Sequence, residues 1–407
     1  MKRAVFSNFS VSIMIAFFGL IGSILMARAL GPSVRGDVAA AFLWPNLLVY
    51  LGSIGTYQAF IFYFSKDRDK KMMWGTCLAA TTINSFLSIF AGFLVIRFAL
   101  NGFSTEVKSY SYLLLLSIPF SILAQYVVTI FQAKQKFKIF NVFRSIIPVL
   151  YLFAIAILFL TKNLNFKSVI LVQFILNIFQ GVIALISYSF LVGDIDSFRI
   201  KRKAVASIYK YGSKIWLGDL SQGVNTRLDQ IVIANLFSSI ELGYYSVAYS
   251  VASFTSILAG SSKTILLPLI ASKKRESSFS GNLTENLKSF NKVNAILVGV
   301  FLLFGPYLLT TAFGTEFADS TRYLTVLLVG FAFLNMKTVY TAMLQGGGLP
   351  LLSSFSEISG FLFLLFFAYP ISNWFGIQGM VVAISLSFFI QFLVAIYFFN
   401  NQKYKLA

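Results

Sequence analysis

The chain is dominated by apolar blocks about 20 residues long, the length at which an α-helix crosses roughly 30 Å of hydrocarbon. Stretches containing Leu113–Leu116, Ile146–Leu160, Ile296–Phe304 and Phe361–Tyr369 lack the alternation of a barrel strand. Helices are therefore expected, because only helices and closed barrels satisfy their own backbone inside a bilayer. Of 407 residues, 57% are hydrophobic and 12% charged. Soluble domains carry about 25% charged residues, so this chain has too little polar surface to coat a globule of its size. The blocks predict an all-α integral membrane protein of twelve transmembrane helices, at 9–30, 37–63, 73–100, 109–131, 140–160, 168–192, 209–236, 240–270, 289–312, 320–344, 352–372 and 376–399.

A net charge of +19 raises the question of nucleic acid, and its placement answers it. With the amino terminus in the cytoplasm, the basic clusters at Lys2–Arg3, Lys66–Lys71, Lys134–Arg144, Arg199–Lys210, Lys273–Arg275 and Lys403–Lys405 all fall on the inner side. Arg28, Arg35, Arg97, Lys108, Lys162, Lys167 and Arg322 fall on or near the outside. That asymmetry is the positive-inside pattern of a multi-pass protein with both termini cytoplasmic. The charge serves topology and contact with anionic membrane lipids, and nucleic acid is not an expected partner. A single cysteine, Cys77, excludes an internal disulfide, and the absence of histidine excludes imidazole metal sites and histidine acid–base chemistry. Lys2–Arg3, an apolar run and Ala27-Arg28-Ala29 imitate a cleavable leader, but the run is longer than a leader's and reads as the first span.

The sequence is written twice. At an offset of about 207, Leu30-Gly31-Pro32-Ser33-Val34-Arg35-Gly36 falls on Phe237-Ser238-Ser239-Ile240-Glu241-Leu242-Gly243, and Lys66 falls on Lys273. Further on the offset drifts to about 213, where Phe131-Gln132-Ala133 meets Leu344-Gln345-Gly346. The expected organisation is a six-helix lobe at 1–193, a basic cytoplasmic linker at 194–208 and a second six-helix lobe at 209–407. An even number of spans per copy gives both the same orientation, with a pseudo-twofold along the membrane normal and a cavity between them.

Short loops leave no room for a soluble catalytic domain, so function is sought in residues the bilayer makes costly. A charge at mid-bilayer costs about 2.5–3.5 kcal/mol on insertion scales. The seventh span carries Lys214, Asp219, Gln222, Asn225, Thr226, Arg227, Asp229 and Gln230. Spacings of three and four put Asp219, Gln222, Thr226 and Asp229 on one polar stripe. Arg28 ends the first span, and Lys263, Lys337 and Glu357 lie in the eighth, tenth and eleventh. One reading makes Arg28, Lys214, Arg227 and Lys263 a cationic substrate-binding cavity, with Asp219 and Asp229 setting its field or binding a coupling ion, Na+ or H+. The plainer reading has Arg28 and Arg227–Asp229 snorkelling or pairing locally, Lys214 at the inner interface, and Lys337 with Glu357 as an electrostatic tie. Gly260-Ser261-Ser262-Lys263-Thr264 lacks the glycine before lysine that a phosphate loop needs, so no nucleotide or other cofactor is expected.

Four segments carry a family resemblance. Ala27-Arg28-Ala29-Leu30-Gly31-Pro32-Ser33-Val34-Arg35-Gly36 is similar to the first-to-second helix signature of Wzx-type polysaccharide-export flippases. Arg227-Leu228-Asp229-Gln230 followed by Leu242-Gly243-Tyr244-Tyr245-Ser246-Val247-Ala248 resembles that family's seventh and eighth helices. Phe313-Gly314-Thr315-Glu316-Phe317 with Met343-Leu344-Gln345-Gly346-Gly347-Gly348 forms a third match, and Trp374-Phe375-Gly376-Ile377-Gln378-Gly379-Met380 a fourth.

The resemblance implies the multidrug/oligosaccharidyl-lipid/polysaccharide exporter fold, a MATE-like pair of lobes in a bacterial cytoplasmic (inner) membrane. It implies a lipid-linked oligosaccharide on undecaprenyl pyrophosphate as substrate, an O-antigen or capsule repeat unit moved from the cytoplasmic to the outer leaflet. Other polysaccharide-assembly membrane proteins are the implied partners. Family members hold the diphosphate with cationic cavity residues, which fits Arg28, Arg227 and Lys263. Transport of this kind breaks no bond, so the chain is not expected to be an enzyme. The rivals are a cation-coupled multidrug exporter of the same superfamily, supported by Asp219 and Asp229, and a membrane glycan polymerase or glycosyltransferase, which would need a large outer loop.

Overall fold

The computed structural model describes residues 2–57, 59–60, 73–134, 136–192, 202–225, 227–272 and 279–406. Among these the chain is helical, with no strand. The helices are α1 (Lys2–Leu51), α2 (Met73–Ala99), α3 (Thr105–Leu115), α4 (Ile118–Ala133), α5 (Phe137–Leu160), α6 (Phe166–Val192), α7 (Arg202–Asn225), α8 (Leu228–Leu236), α9 (Ser239–Phe254), α10 (Ser256–Ser272), α11 (Phe279–Phe313), α12 (Ser320–Gly346) and α13 (Pro350–Leu406).

Seven of the described helical stretches are long and apolar enough to cross a membrane, and an eighth is the pair α3–α4, bent by 45° at Leu116–Ser117. Twelve spans were expected. Part of the difference lies in two merged helices, Phe9–Leu51 with 43 residues and Leu351–Gln402 with 52. Either would run for about 65 Å or more, twice the hydrocarbon thickness. Each is interrupted by a glycine in a non-helical conformation, Gly31 at φ 69°, ψ 175° and Gly376 at φ 60°, ψ −155°. Only glycine adopts such angles cheaply, and Pro32 follows Gly31 where a helix start tolerates proline. The seventh and eighth predicted spans instead form shorter pieces, α7 with α8 and α9 with α10. The polar stripe of α7 lowers its apolarity, and Thr255 separates α9 from α10.

Packing divides the chain into two compact units, Met1–Gly36 with Leu228–Ala407, and Asp37–Arg227. The sequence halves place the division in the 194–208 linker instead, of which 194–201 lies outside the described residues. Within the first unit, three ties hold the opening segment to later helices. Arg28 bonds the end of α11, Ser23 Oγ lies 3.5 Å from Ser250 Oγ on α9, and the backbone near Gly36 meets α9 at Gly243. Helix α12 is the core of this unit, packed by α9, α10, α11 and α13. Val339, Tyr340 and Met343 close on Ala259, Leu287, Ala395 and Phe399.

The second unit is organised around a broken helix. After Leu51 the backbone leaves helical geometry, with Ile54 at φ 50° and Gly55 at φ 66°. A β-branched residue there is a strained outlier, held by its surroundings. The carbonyls around the break accept turn bonds from the backbone and bonds from side-chain donors as well. Leu48 O accepts from Ser88 Oγ at 3.1 Å, Leu51 O from Trp216 Nε1 at 3.0 Å, and Ser53 O from Asn84 Nδ2 at 3.1 Å. Asn84, fully buried, also donates to Tyr126 Oη at 2.7 Å and accepts from Tyr209 Oη at 2.7 Å. The Tyr126 ring packs edge-on against Tyr57 and Phe60, with centroids 5.0 and 4.7 Å away. One amide thus ties α2, α4 and α7 to the break. Asn84→Leu should take the acceptor from the Tyr209 hydroxyl and remove the amide's bonds to Ser53 O, Thr56 Oγ1 and Tyr126 Oη, at about 1–3 kcal/mol for an unsatisfied group. The expected result is a marked fall in melting temperature in detergent, read by size-exclusion after heating, with Tyr209→Phe causing a smaller loss.

Candidate functional site

Polar chemistry in the first packing unit gathers in two clusters. The first is built on the middle of α12, at Asn335 and Lys337. Lys337 is 5% exposed and forms an ion pair with Glu357 of α13, itself 9% exposed. Two residues earlier, buried Asn335 donates to Asn294 Oδ1 on α11 at 3.0 Å and to Thr255 Oγ1 at 3.3 Å. Its own Oδ1 accepts from Ser256 Oγ at 2.7 Å, and Asn294 Nδ2 donates to Ala332 O at 3.0 Å. The break between α9 and α10 is thereby tied to α11 and α12 through amides.

The second group lies along α9, which meets α8 through Tyr245 and the first helix through Ser250. Asp229 is 3% exposed and accepts from Tyr245 Oη and, at 2.7 Å, from the Gln230 amide. Arg35 is 8% exposed, and its Nη2 donates to Ser23 Oγ at 3.4 Å. Buried charge of this kind is stable only with hydrogen-bonding partners. Tyr245 is itself fully buried and carries the phenol to the carboxylate from one and a half turns inside α9.

The residues proposed from the sequence have different fates. Lys337 and Glu357 are brought together. Arg28 is exposed and caps the last turn of α11, where its Nε and Nη2 donate to Ala312 O and Thr311 O, each at 2.6 Å. A guanidinium suits that position, where unpaired carbonyls and the negative end of the helix dipole coincide. Lys263 is half-buried on α10, and Arg227 is half-buried at the end of the second packing unit. The side chains of Lys214 and Asp219 lie outside the described residues.

Sequence reasoning missed Arg35, Tyr245 and the asparagines. Arg35 reads as part of an outer loop because Gly31-Pro32 reads as a turn; the helix restarts at once and carries Arg35 into the protein. Asn294 and Asn335 sit beside Asn291-Lys292 and Lys337-Thr338, so nothing local marks them out from their polar neighbours. Among the described residues no three His, Cys, Asp or Glu side chains gather as metal ligands would. What the clusters can do is hold, exchange and neutralise charge inside a low-dielectric medium.

Comparison with known proteins places this arrangement. The family described as Polysaccharide biosynthesis protein matches residues 1–274. A Shigella flexneri protein named as a candidate O-antigen transporter is 22% identical over 370 residues, covering 84% of each chain. Two solved structures share the fold. An inward-facing multidrug resistance MATE family transporter of the MOP superfamily gives a TM-score of 0.73 at 14% identity, over 99% of this chain and 98% of its own. The lipid II flippase MurJ in an inward closed conformation gives 0.72 at 16% identity, over 97% and 87%.

Removing one partner of a buried ion pair strands the other, at about 3–5 kcal/mol, while replacing both with apolar groups is close to neutral. Lys337→Met alone should therefore sharply lower thermal stability in detergent, and Lys337→Met with Glu357→Leu should recover most of it. Transport measured on the stable double variant then separates a role in the transport cycle from a role in folding.

Proposed function

Because this chain belongs to the Polysaccharide biosynthesis protein family, we propose that it is a flippase for undecaprenyl-pyrophosphate-linked oligosaccharide, carrying an O-antigen or capsule repeat unit from the cytoplasmic to the outer leaflet by alternating access. At the coarser level the chain is a multi-pass membrane protein of the MOP type, with helices long enough to span and a transporter among its relatives. The observation that carries the finer reading is the family match over residues 1–274 of a chain whose buried charges lie in apolar helices. A diphosphate with several sugars would be prohibitively costly to draw through hydrocarbon. A polar route through the protein removes that cost while the lipid tail stays in the bilayer.

In this reading the chain has twelve spans in two six-helix copies, counting Gly31 and Gly376 as turns between spans and joining α7 to α8 and α9 to α10. Arg227 and Lys263 remain the cations proposed to meet the diphosphate, along with Lys214; Arg28 is committed to the end of α11 and drops out of that set. Coupling to Na+ or H+ would act through Asp219 or Asp229. The multidrug exporter is the second reading, favoured by the MATE likeness and weakened by the family match.

The test is reconstitution in liposomes with lipid-linked oligosaccharide, following exposure of the glycan to an impermeant oxidant or lectin. Protein-dependent exposure is expected, and Arg227→Ala or Lys263→Ala should lower its rate about tenfold to a hundredfold, the worth of a charge-assisted hydrogen bond. Arg28→Ala should instead lower stability. Efflux of cationic dyes with no glycan exposure would transfer the assignment to the drug exporter.

A further inference from the structure

The repeated motif meets itself in the folded protein. A Cβ placed on Gly36 would lie 1.7 Å from Ser239 O and 2.9 Å from Gly243 N. A Cβ placed on Gly243 would lie 2.0 Å from Pro32 O and 3.2 Å from Gly36 N. The two sets of contacts are the same set seen from either side, because the offset that carries Pro32 onto Ser239 also carries Gly36 onto Gly243. The helix starts correspond as well. Gly31 breaks α1 just before Pro32, and Ser238 caps α9 just before Ser239, with Glu241 completing a capping box. Each copy thus begins a helix at an equivalent residue and lays its first turn, positions four apart on one face, on the backbone of the other.

Reciprocal contact between equivalent residues is the signature of an isologous interface, and it lies on the axis relating the copies. At Gly36 and Gly243 the backbones touch with no side chain between them, and any other residue would be driven into a main-chain carbonyl. Such a contact is held by dispersion and weak C–H···O interactions. Neither glycine brings a side-chain hydrogen bond or charge that parting would strand. It is tight enough to exclude water, and the polar ties that parting must break lie beside it, at Arg28 and at Ser23 with Ser250.

We propose that the Gly36–Gly243 crossing is the outer gate: closed in the described state, it must part for the outer leaflet to gain access. The inference rests on the alternating-access reading given above. It assigns the motif Leu30–Gly36 and its counterpart at Phe237–Gly243 a moving role, where static glycine packing would give them a purely structural one. On the span before the Gly31 break, Ser23 Oγ stands 3.5 Å from Ser250 Oγ, further along the same helix α9, and supplies a lock for the test.

The experiment uses full-length protein in proteoliposomes with Cys77→Ala as background and Ser23→Cys with Ser250→Cys added. The reference is each cysteine variant's own rate of lipid-linked oligosaccharide exposure under reducing conditions, because Ser23 also accepts from Arg35. Oxidative cross-linking of the pair should lower that rate about tenfold or more, with recovery on reduction. Cross-linking in high yield with transport unchanged would overturn the gate, since helices that never part are not harmed by a tether. Failure of the pair to cross-link would overturn it too, by placing the helices apart. No transport by the background protein would instead sink the flippase reading, leaving the two failures distinguishable. An independent arm reads conformation alone: Gly243→Val in the Ser23→Cys, Cys77→Ala protein should raise labelling by an impermeant maleimide from the outside several-fold. A folded Gly243→Val protein with unchanged labelling would contradict the proposal.

Discussion

Backbone inside a bilayer must find its hydrogen bonds within the protein, and the structure is organised around the places where the helices fail to supply them. Around residues 48–56 the turn bonds are reinforced by Ser88, Trp216 and Asn84. At Thr255, the hydroxyl donates to Ala252 O and accepts from Asn335. At the end of α11 it is Arg28 that donates. These polar side chains are long-range ties as well as caps, so the positions of helix breaks decide which helices are held together. The Asn84 and Asn335 networks are the two clearest cases, one in each packing unit.

The same constraint sorts the embedded charges. Arg28 serves a helix end near the surface and needs no opposite charge. Lys337 and Glu357 neutralise each other across α12 and α13, and Asp229 is held by a phenol and a backbone amide. A functional reading based on charge alone treats these residues as equivalent. Their partners show that they are not: a cap can be replaced at modest cost, whereas one member of a buried pair cannot be removed without stranding the other.

The fold class was legible because apolar blocks of membrane-spanning length leave few alternatives, and the blocks around α2, α5, α6, α11 and α12 reappear as single helices. Lys337 and Glu357 were both named from sequence, with their pairing one of two alternatives; 20 residues and a helix turn separate them, and only folding brings the side chains into register. Asn84 pairs with Tyr126 and Tyr209 over 42 and 125 residues, distances at which no local pattern carries information. The burial of Arg35 was hidden for a different reason. Gly31-Pro32 punctuates a helix and also starts one, and the sequence alone does not say how soon the chain turns inward again.

Charge already neutralised in place has a consequence for what such a protein can carry. On the flippase reading, an incoming anion must compete with the ligands that a cation already has, so Arg28 and Lys337, committed to carbonyls and to Glu357, are poor candidates to meet it. A singly charged headgroup offers no more than the carboxylate it would displace. A diphosphate offers more charge and more acceptor oxygens, and can engage two cations at once.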